Sequence, residues 1–127
     1  ATNTAVSWKK FMRSFDAMLP NLAAERLAEE TMAEYGVLCT KNHLPTGSTD
    51  VGNVSYRCPA IQPELAIASE KMDLHTREFA SATTSEEGHS ALAEGAAIMT
   101  DIALKVLTER ERREDILREF KSRASAV

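Results

Sequence analysis

From Thr84 to Leu107 the sequence carries one long, unbroken helical pattern, whereas at most two short stretches read as strands. That imbalance constrains the fold more than any other feature. A sheet of one or two strands does not stand alone in water. The chain is therefore either mostly helical, or its strands complete a sheet supplied by other residues. The long pattern opens with Thr84-Ser85-Glu86-Glu87, which fits a capping box with Thr84 as the cap and Glu87 reaching back. Ala91, Leu92, Ala96, Met99, Ala103 and Val106 form its stripe, widened by Ile98, Ile102 and Leu107. The small residues Gly88, Ala93, Gly95, Ala96 and Ala97 permit close packing against a sheet or another helix.

The other helical patterns are shorter. Trp8, Phe11, Met12, Phe15, Met18 and Leu19 lie at helical spacing and predict an amphipathic helix over residues 6–19. Pro20 ends it, having no amide hydrogen to donate. Asn21 then serves as N-cap for a helix over 22–35 with Leu22, Leu27, Met32 and Tyr35 among its apolar positions, and Gly36 closes it. A last helix runs from Glu109 to Ser122 on Ile116, Leu117 and Phe120, with a fraying tail from Arg123 to Val127. Residues 40–60, rich in Pro, Gly, Ser and Asn, form a long loop with a short turn of helix at most. Such a loop inside a compact domain is often functional. Ile61 to Ala68 reads as a strand, with Pro63 marking an edge, and residues 69–84 read as irregular.

With 127 residues the chain is one domain at most. Its 15 basic residues are scattered among 19 acidic ones, which argues against nucleic-acid binding. The one basic cluster, Arg110, Arg112 and Arg113, alternates with Glu109, Glu111 and Glu114 and reads as a solvated face of paired charges. The longest mostly apolar segment, Ala91 to Leu107, is interrupted by Glu94, Asp101 and Lys105, so no membrane span is expected. The N-terminus shows no signal pattern, which favours the cytoplasm. Cys39 and Cys58 lack zinc-ribbon spacing and read as two buried or half-buried thiols rather than a disulfide.

For chemistry the inventory is sparse. There are three histidines, His43, His75 and His89, and neither HExxH, CxxC, GxGxxG, P-loop nor GxSxG is present. His75 and His89 do not share a helical face by local spacing. Taken singly, each reads as a surface or hydrogen-bonded residue.

The order of segments gives more. Gly47-Ser48-Thr49-Asp50-Val51-Gly52-Asn53-Val54-Ser55 is followed by Pro59, an apolar stretch, His75-Thr76-Arg77-Glu78-Phe79, and then Ser85-Glu86-Glu87 with a long alanine-rich helix. This arrangement resembles the C-terminal part of the catalytic domain of M20-family zinc amidohydrolases and peptidases, in the subgroup of aminobenzoyl-glutamate hydrolase and aminoacylase-1-like dipeptidases. The resemblance covers about residues 18–122. Leu19-Pro20-Asn21 looks like the point where such chains re-enter the catalytic domain after an inserted lid. Residues 1–17 are then an amphipathic helix or a remnant of the lid junction, and residues 18–127 the C-terminal segment of the catalytic domain.

The resemblance implies an α/β fold: a helix-rich piece of a three-layer zinc-peptidase-like catalytic domain, incomplete on its own. It implies amide-bond hydrolysis at two zinc ions bridged by a water, with manganese or cobalt able to share such ligand sets. His75 matches the family's last metal ligand. Ser48, Thr49 and Asp50 would line the same cleft, shaping the loop by Asx-type hydrogen bonds and offering backbone amides to a substrate carboxylate. Arg77 is read as a surface or cap residue and His89 as a plain helix N-terminal position. The family's upstream His-x-Asp motif and Glu-Glu pair have no counterpart at matching places, since Glu29-Glu30 and Glu86-Glu87 fall on the wrong side of the family order. One histidine cannot hold a catalytic zinc, which takes three or four protein ligands. The expectation is thus a fragment that binds no metal by itself and is inactive alone, with no catalytic residue of its own. Its partner is the missing N-terminal half or a second copy of itself. The competing reading is a stand-alone, non-catalytic helical interaction protein derived from such an enzyme, with segment 6–19 covering the surface where the absent half would pack.

Overall fold

The computed structural model describes residues 2–40, 47–69 and 71–125. The elements run α1 (Leu22–Glu34), α2 (Val51–Ser55), α3 (Arg77–Ala82), α4 (Glu86–Thr108) and α5 (Arg110–Ala124). Three of them, α1, α4 and α5, pack against one another in pairs. Among the described residues there is no strand. The stretch expected to be a strand, Ile61–Ala68, runs without a ladder partner, because a strand needs a neighbour to accept and donate its backbone bonds.

Helix α1 begins where its capping chemistry predicts. The Asn21 side chain accepts from the Ala24 amide at 3.0 Å, and its Nδ2 donates to the Ile116 carbonyl at 2.9 Å. One buried amide thus satisfies an orphan donor of α1 and an acceptor on α5. The helix ends on Gly36 at φ 80, a left-handed conformation that suits glycine. Gly36 and Val37 there donate to the Ala33 and Met32 carbonyls.

Helix α4 starts one residue later than the sequence suggests. Ser85, not Thr84, accepts from the Gly88 amide at 3.0 Å, while Thr84 donates to the Ser81 carbonyl at the end of α3. Either hydroxyl could cap this run; the neighbouring helix α3 occupies one of them. That helix was expected to be irregular chain. Thr76 caps it by accepting from the Phe79 amide at 3.1 Å. Helix α5 continues to Ala124, so Arg123 belongs to the helix rather than to a fraying tail, held by its Nε to Glu119 at 2.9 Å.

The core is small. Ala24, Leu27 and Ile116 form its buried centre, with Ala23, Ile61, Ile102 and Val106 partly buried around it. Polar clamps fasten its rim. Glu119 on α5 accepts from the Leu22 and Ala23 amides at 3.1 and 2.8 Å, placing a carboxylate on the positive end of α1. Partial burial pushes the Glu119 carboxyl up, but the Ala23 and Leu22 amides and Arg123 outweigh it, so its pKa lies below the ordinary glutamate value. On the other side, Lys105 donates to Glu34 at 2.7 Å and to the buried Thr31 hydroxyl at 3.2 Å, with Asp101 at 3.4 Å. The Glu34 hydrogen bond raises the Lys105 pKa against its partial burial, and Asp101 adds to the rise. In the Arg–Glu cluster Arg110 meets Glu114 at 2.6 Å and Arg112 meets Glu109 at 2.6 Å and also Glu30, whereas Arg113 donates to the Val106 and Leu107 carbonyls.

The helix expected over residues 6–19 does not form; residues 2–20 are non-helical and mostly exposed. Trp8 and Phe11 are 87% and 86% exposed. A short helix is marginal in water unless its apolar face is buried, and here nothing covers it. The two thiols are also more open than expected: Cys39 and Cys58 are free and exposed.

Candidate functional site

The motif Gly47–Ser55 splits into two halves with different tasks. Its second half is α2, and α2 grips the segment leading into α1. Ser55, 1% exposed, accepts from the Leu19 amide at 2.8 Å and donates to the Gly52 carbonyl at 2.6 Å. Asn53 Nδ2 donates to the Asp16 carboxylate at 2.7 Å and to the Ser14 carbonyl at 3.2 Å. Gly52 lets the two backbones touch: a Cβ there would stand 1.9 Å from the Asp16 carbonyl oxygen. Residues 14–19 are non-helical, and α2 holds their backbone at Ser14 and Leu19. Gly52, Asn53 and Ser55 thus hold a structural task that their place in a loop-like stretch does not announce. Glycine and asparagine inside a short helix, where both are poor formers, were the signal.

The first half, Gly47–Asp50, leads into α2 with its side chains outward. Ser48 and Asp50 are exposed and Thr49 is half-buried. The expected Asx-type bond is absent: the Asp50 side chain makes no cap bond, and its carbonyl accepts from Asn53 and Val54 instead. Thr49 Oγ1 takes the local role, accepting from the Val51 amide at 3.3 Å.

His75 sits on the turn before α3, exposed, at φ 65. It is the one non-glycine residue with positive φ among those described. That conformation costs roughly 1–2 kcal/mol for an ordinary side chain, less for His, Asn and Asp. Thr76 fixes it from the next position, since its hydroxyl donates to the Asp73 carbonyl at 2.9 Å while capping α3. His75 is thus exposed on a closed turn. Arg77 and His89 occupy the first turns of α3 and α4, both exposed, as surface readings require. His43 lies outside the described residues.

Among the described residues no three His, Cys, Asp or Glu side chains gather as a metal-binding group. His75 could supply one ligand, which does not make a zinc centre. A shallow groove of about 430 Å³ lies elsewhere, lined by Tyr35, Ala96, Ala97, Thr100, Asp101 and Leu104. No described helix is long and apolar enough to cross a membrane.

The chain is 32% identical to the human (Homo sapiens) Xaa-Arg dipeptidase over 114 residues, covering 90% of this chain and 23% of that protein. The chain is homologous to part of a dipeptidase. The mouse (Mus musculus) Xaa-Arg dipeptidase is 31% identical over 97 residues, 76% of this chain and 21% of its own length. The Xaa-Arg dipeptidase is an M20-family peptidase, so the homology and the motif order point the same way. The chain spans less than a quarter of the length of these curated relatives. No family model matches the chain, and no solved structure matches it.

Proposed function

We propose that this chain is the C-terminal part of the catalytic domain of a metal-dependent amide-bond hydrolase of the M20 family. The carrying observation is homology to a dipeptidase across 90% of the chain at 32% identity. In this reading the complete domain is α/β and three-layered, and Ile61–Ala68 pairs with a sheet carried by other residues. His75 supplies one metal ligand, and Ser48, Thr49 and Asp50 line the cleft. The remaining ligands come from the rest of the domain, with zinc as the resident metal. The exposed position of His75 on a turn closed by Thr76 supports this role, because a metal ligand must be open to the ion it binds. Substrates are amides of the dipeptide, N-acyl amino acid or aminobenzoyl-glutamate type. The dipeptidase relatives make a dipeptide ending in arginine the first to try.

The test is hydrolysis of an Xaa-Arg dipeptide by the longest natural polypeptide that contains this sequence, beside the 127-residue chain. The longer protein is expected to cleave it when zinc-loaded and the short chain to be inert. His75→Ala in the longer protein should abolish turnover with its folding intact. A fully active His75→Ala protein removes the ligand assignment, and a zinc-loaded longer protein inert on all three amide classes removes the function.

A further inference from the structure

His75 occupies a place where turn chemistry favours another residue. It is the third residue of the turn Asp73–Thr76, and its φ of 65 is left-handed. Glycine and asparagine fill such a place at the least cost. Histidine tolerates it better than most side chains but not as well as glycine. Backbone strain of this kind gathers where a side chain must be held in one direction, as at ligand clamps.

Thr76 steadies the turn. Its hydroxyl donates to the Asp73 carbonyl at 2.9 Å and accepts from the Phe79 amide at 3.1 Å. The first bond closes the turn across His75, and the second ties it to α3. Helix α3 is itself seated on α4. The Ser85 hydroxyl donates to the Ala82 carbonyl at 2.8 Å and accepts from the Gly88 amide at 3.0 Å. Gly88 permits this approach, since a Cβ there would stand 2.3 Å from the Ala82 carbonyl oxygen. Helix α4 then packs on α1 and α5. The Thr76 hydroxyl is thus the joint between His75 and a frame that continues into the bundle. The His75 ring has no hydrogen bond or ion pair of its own among the described residues. A metal-bound imidazole is commonly oriented through its second ring nitrogen. Within this chain the direction of the His75 Cα–Cβ bond is set by the turn instead.

We propose that Thr76 is a positioning residue for His75: by closing the left-handed turn it fixes the direction in which this ligand meets the metal. The inference rests on the hydrolase reading for the metal, and on the two Thr76 hydrogen bonds for the positioning.

The experiment measures zinc dissociation constants, by competition with a chelating dye, in the longest natural polypeptide that contains this sequence. Thr76→Val removes the hydroxyl and keeps the shape. It is expected to weaken zinc binding by at least about 10-fold, as loss of an outer partner of a ligating histidine does. Thr76→Ser returns the hydroxyl and should return most of the affinity. Urea midpoints are read beside them, because a purely structural threonine would lower the midpoint and leave the zinc constant alone. Should Thr76→Val not fold, Thr76→Asp takes its place: the carboxylate can still cap α3 but has no proton for the Asp73 carbonyl. Its added negative charge by itself favours a cation, so weaker zinc binding there reports the turn. Wild-type zinc affinity without the hydroxyl, or a serine that restores nothing, overturns the proposal. His75→Ala separates it from the hydrolase reading. Zinc affinity lost in His75→Ala but kept in Thr76→Val leaves the ligand standing and removes the positioning role. Wild-type affinity in His75→Ala, or a wild-type protein that binds no zinc, removes both.

Discussion

The α1–α4–α5 bundle and the motif-bearing stretch 47–82 are built on different principles. The bundle is closed by contacts far apart in sequence: Asn21 to Ile116, Glu119 to the start of α1, and Lys105 to Glu34 and Thr31. The stretch 47–82 holds two short helices, α2 and α3, fixed largely by local caps and by the Gly52–Asn53–Ser55 grip on residues 14–19. Of its candidate site residues, His75, Ser48 and Asp50 are exposed and Thr49 is half-buried. The long-range contacts thus lie in the bundle, and the residues proposed for chemistry lie on the stretch beside it.

Substitutions should separate the two regions. The largest effect is expected for Leu27→Ala, which empties the centre of the bundle. It should cost about 3 kcal/mol in urea unfolding followed by helical circular dichroism. A loss under about 1 kcal/mol would mean that the bundle is not the stable region. Gly52→Ala comes next, because its methyl group must displace the Asp16 carbonyl. About 1–3 kcal/mol is expected. The loss should appear as faster proteolysis within residues 14–19, with the helical signal kept. Equal loss of both signals would show that the two regions unfold as one.

The third effect depends on pH. Glu119 is held below its ordinary value, so its contribution is present above the ordinary glutamate pKa of 4.5 and is lost as pH falls through the lower folded value. Urea titrations of the wild type should show this loss below pH 4.5, and Glu119→Gln should flatten it. An unchanged acid limb in the variant would move the acid-sensitive group elsewhere. The smallest effect is expected for His75→Asn. Asparagine tolerates the same left-handed backbone, and surface changes of this kind stay within about 0.5 kcal/mol. A larger loss would make His75 part of the fold rather than a passenger on it.

Helix ends that depend on a single residue were legible in the sequence. Asn21 and Gly36 act through their own side chain and backbone, and both stand where they were read. The Thr84–Ser85 choice was missed by one position because it depends on α3 ending immediately before. Helix α3 itself was missed because six residues are too few for a periodicity, although Thr76 with Glu78 in the first turn was a usable start signal. The pattern over 6–19 and the run Ile61–Ala68 failed for another reason. Apolar spacing states which face would be buried if a partner surface were present, and no local property of a segment supplies that surface. The grip of Gly52, Asn53 and Ser55 on residues 14–19 was equally hidden, since it links positions 36 and 37 residues apart. At the candidate site, His75 and Ser48–Asp50 are proposed from the order of motifs rather than from any spacing rule.

The carboxylate that seals the start of α1 is synthesised long after α1 itself. Glu119 follows Leu22 and Ala23 by 97 and 96 residues, and the Ile116 carbonyl follows Asn21 by 95. At an elongation rate of roughly 5–20 residues per second, α1 waits on the order of 5–20 seconds for its seal. A premature stop ahead of Ile116 and Glu119 therefore removes contacts of the first helix as well as the last helix itself.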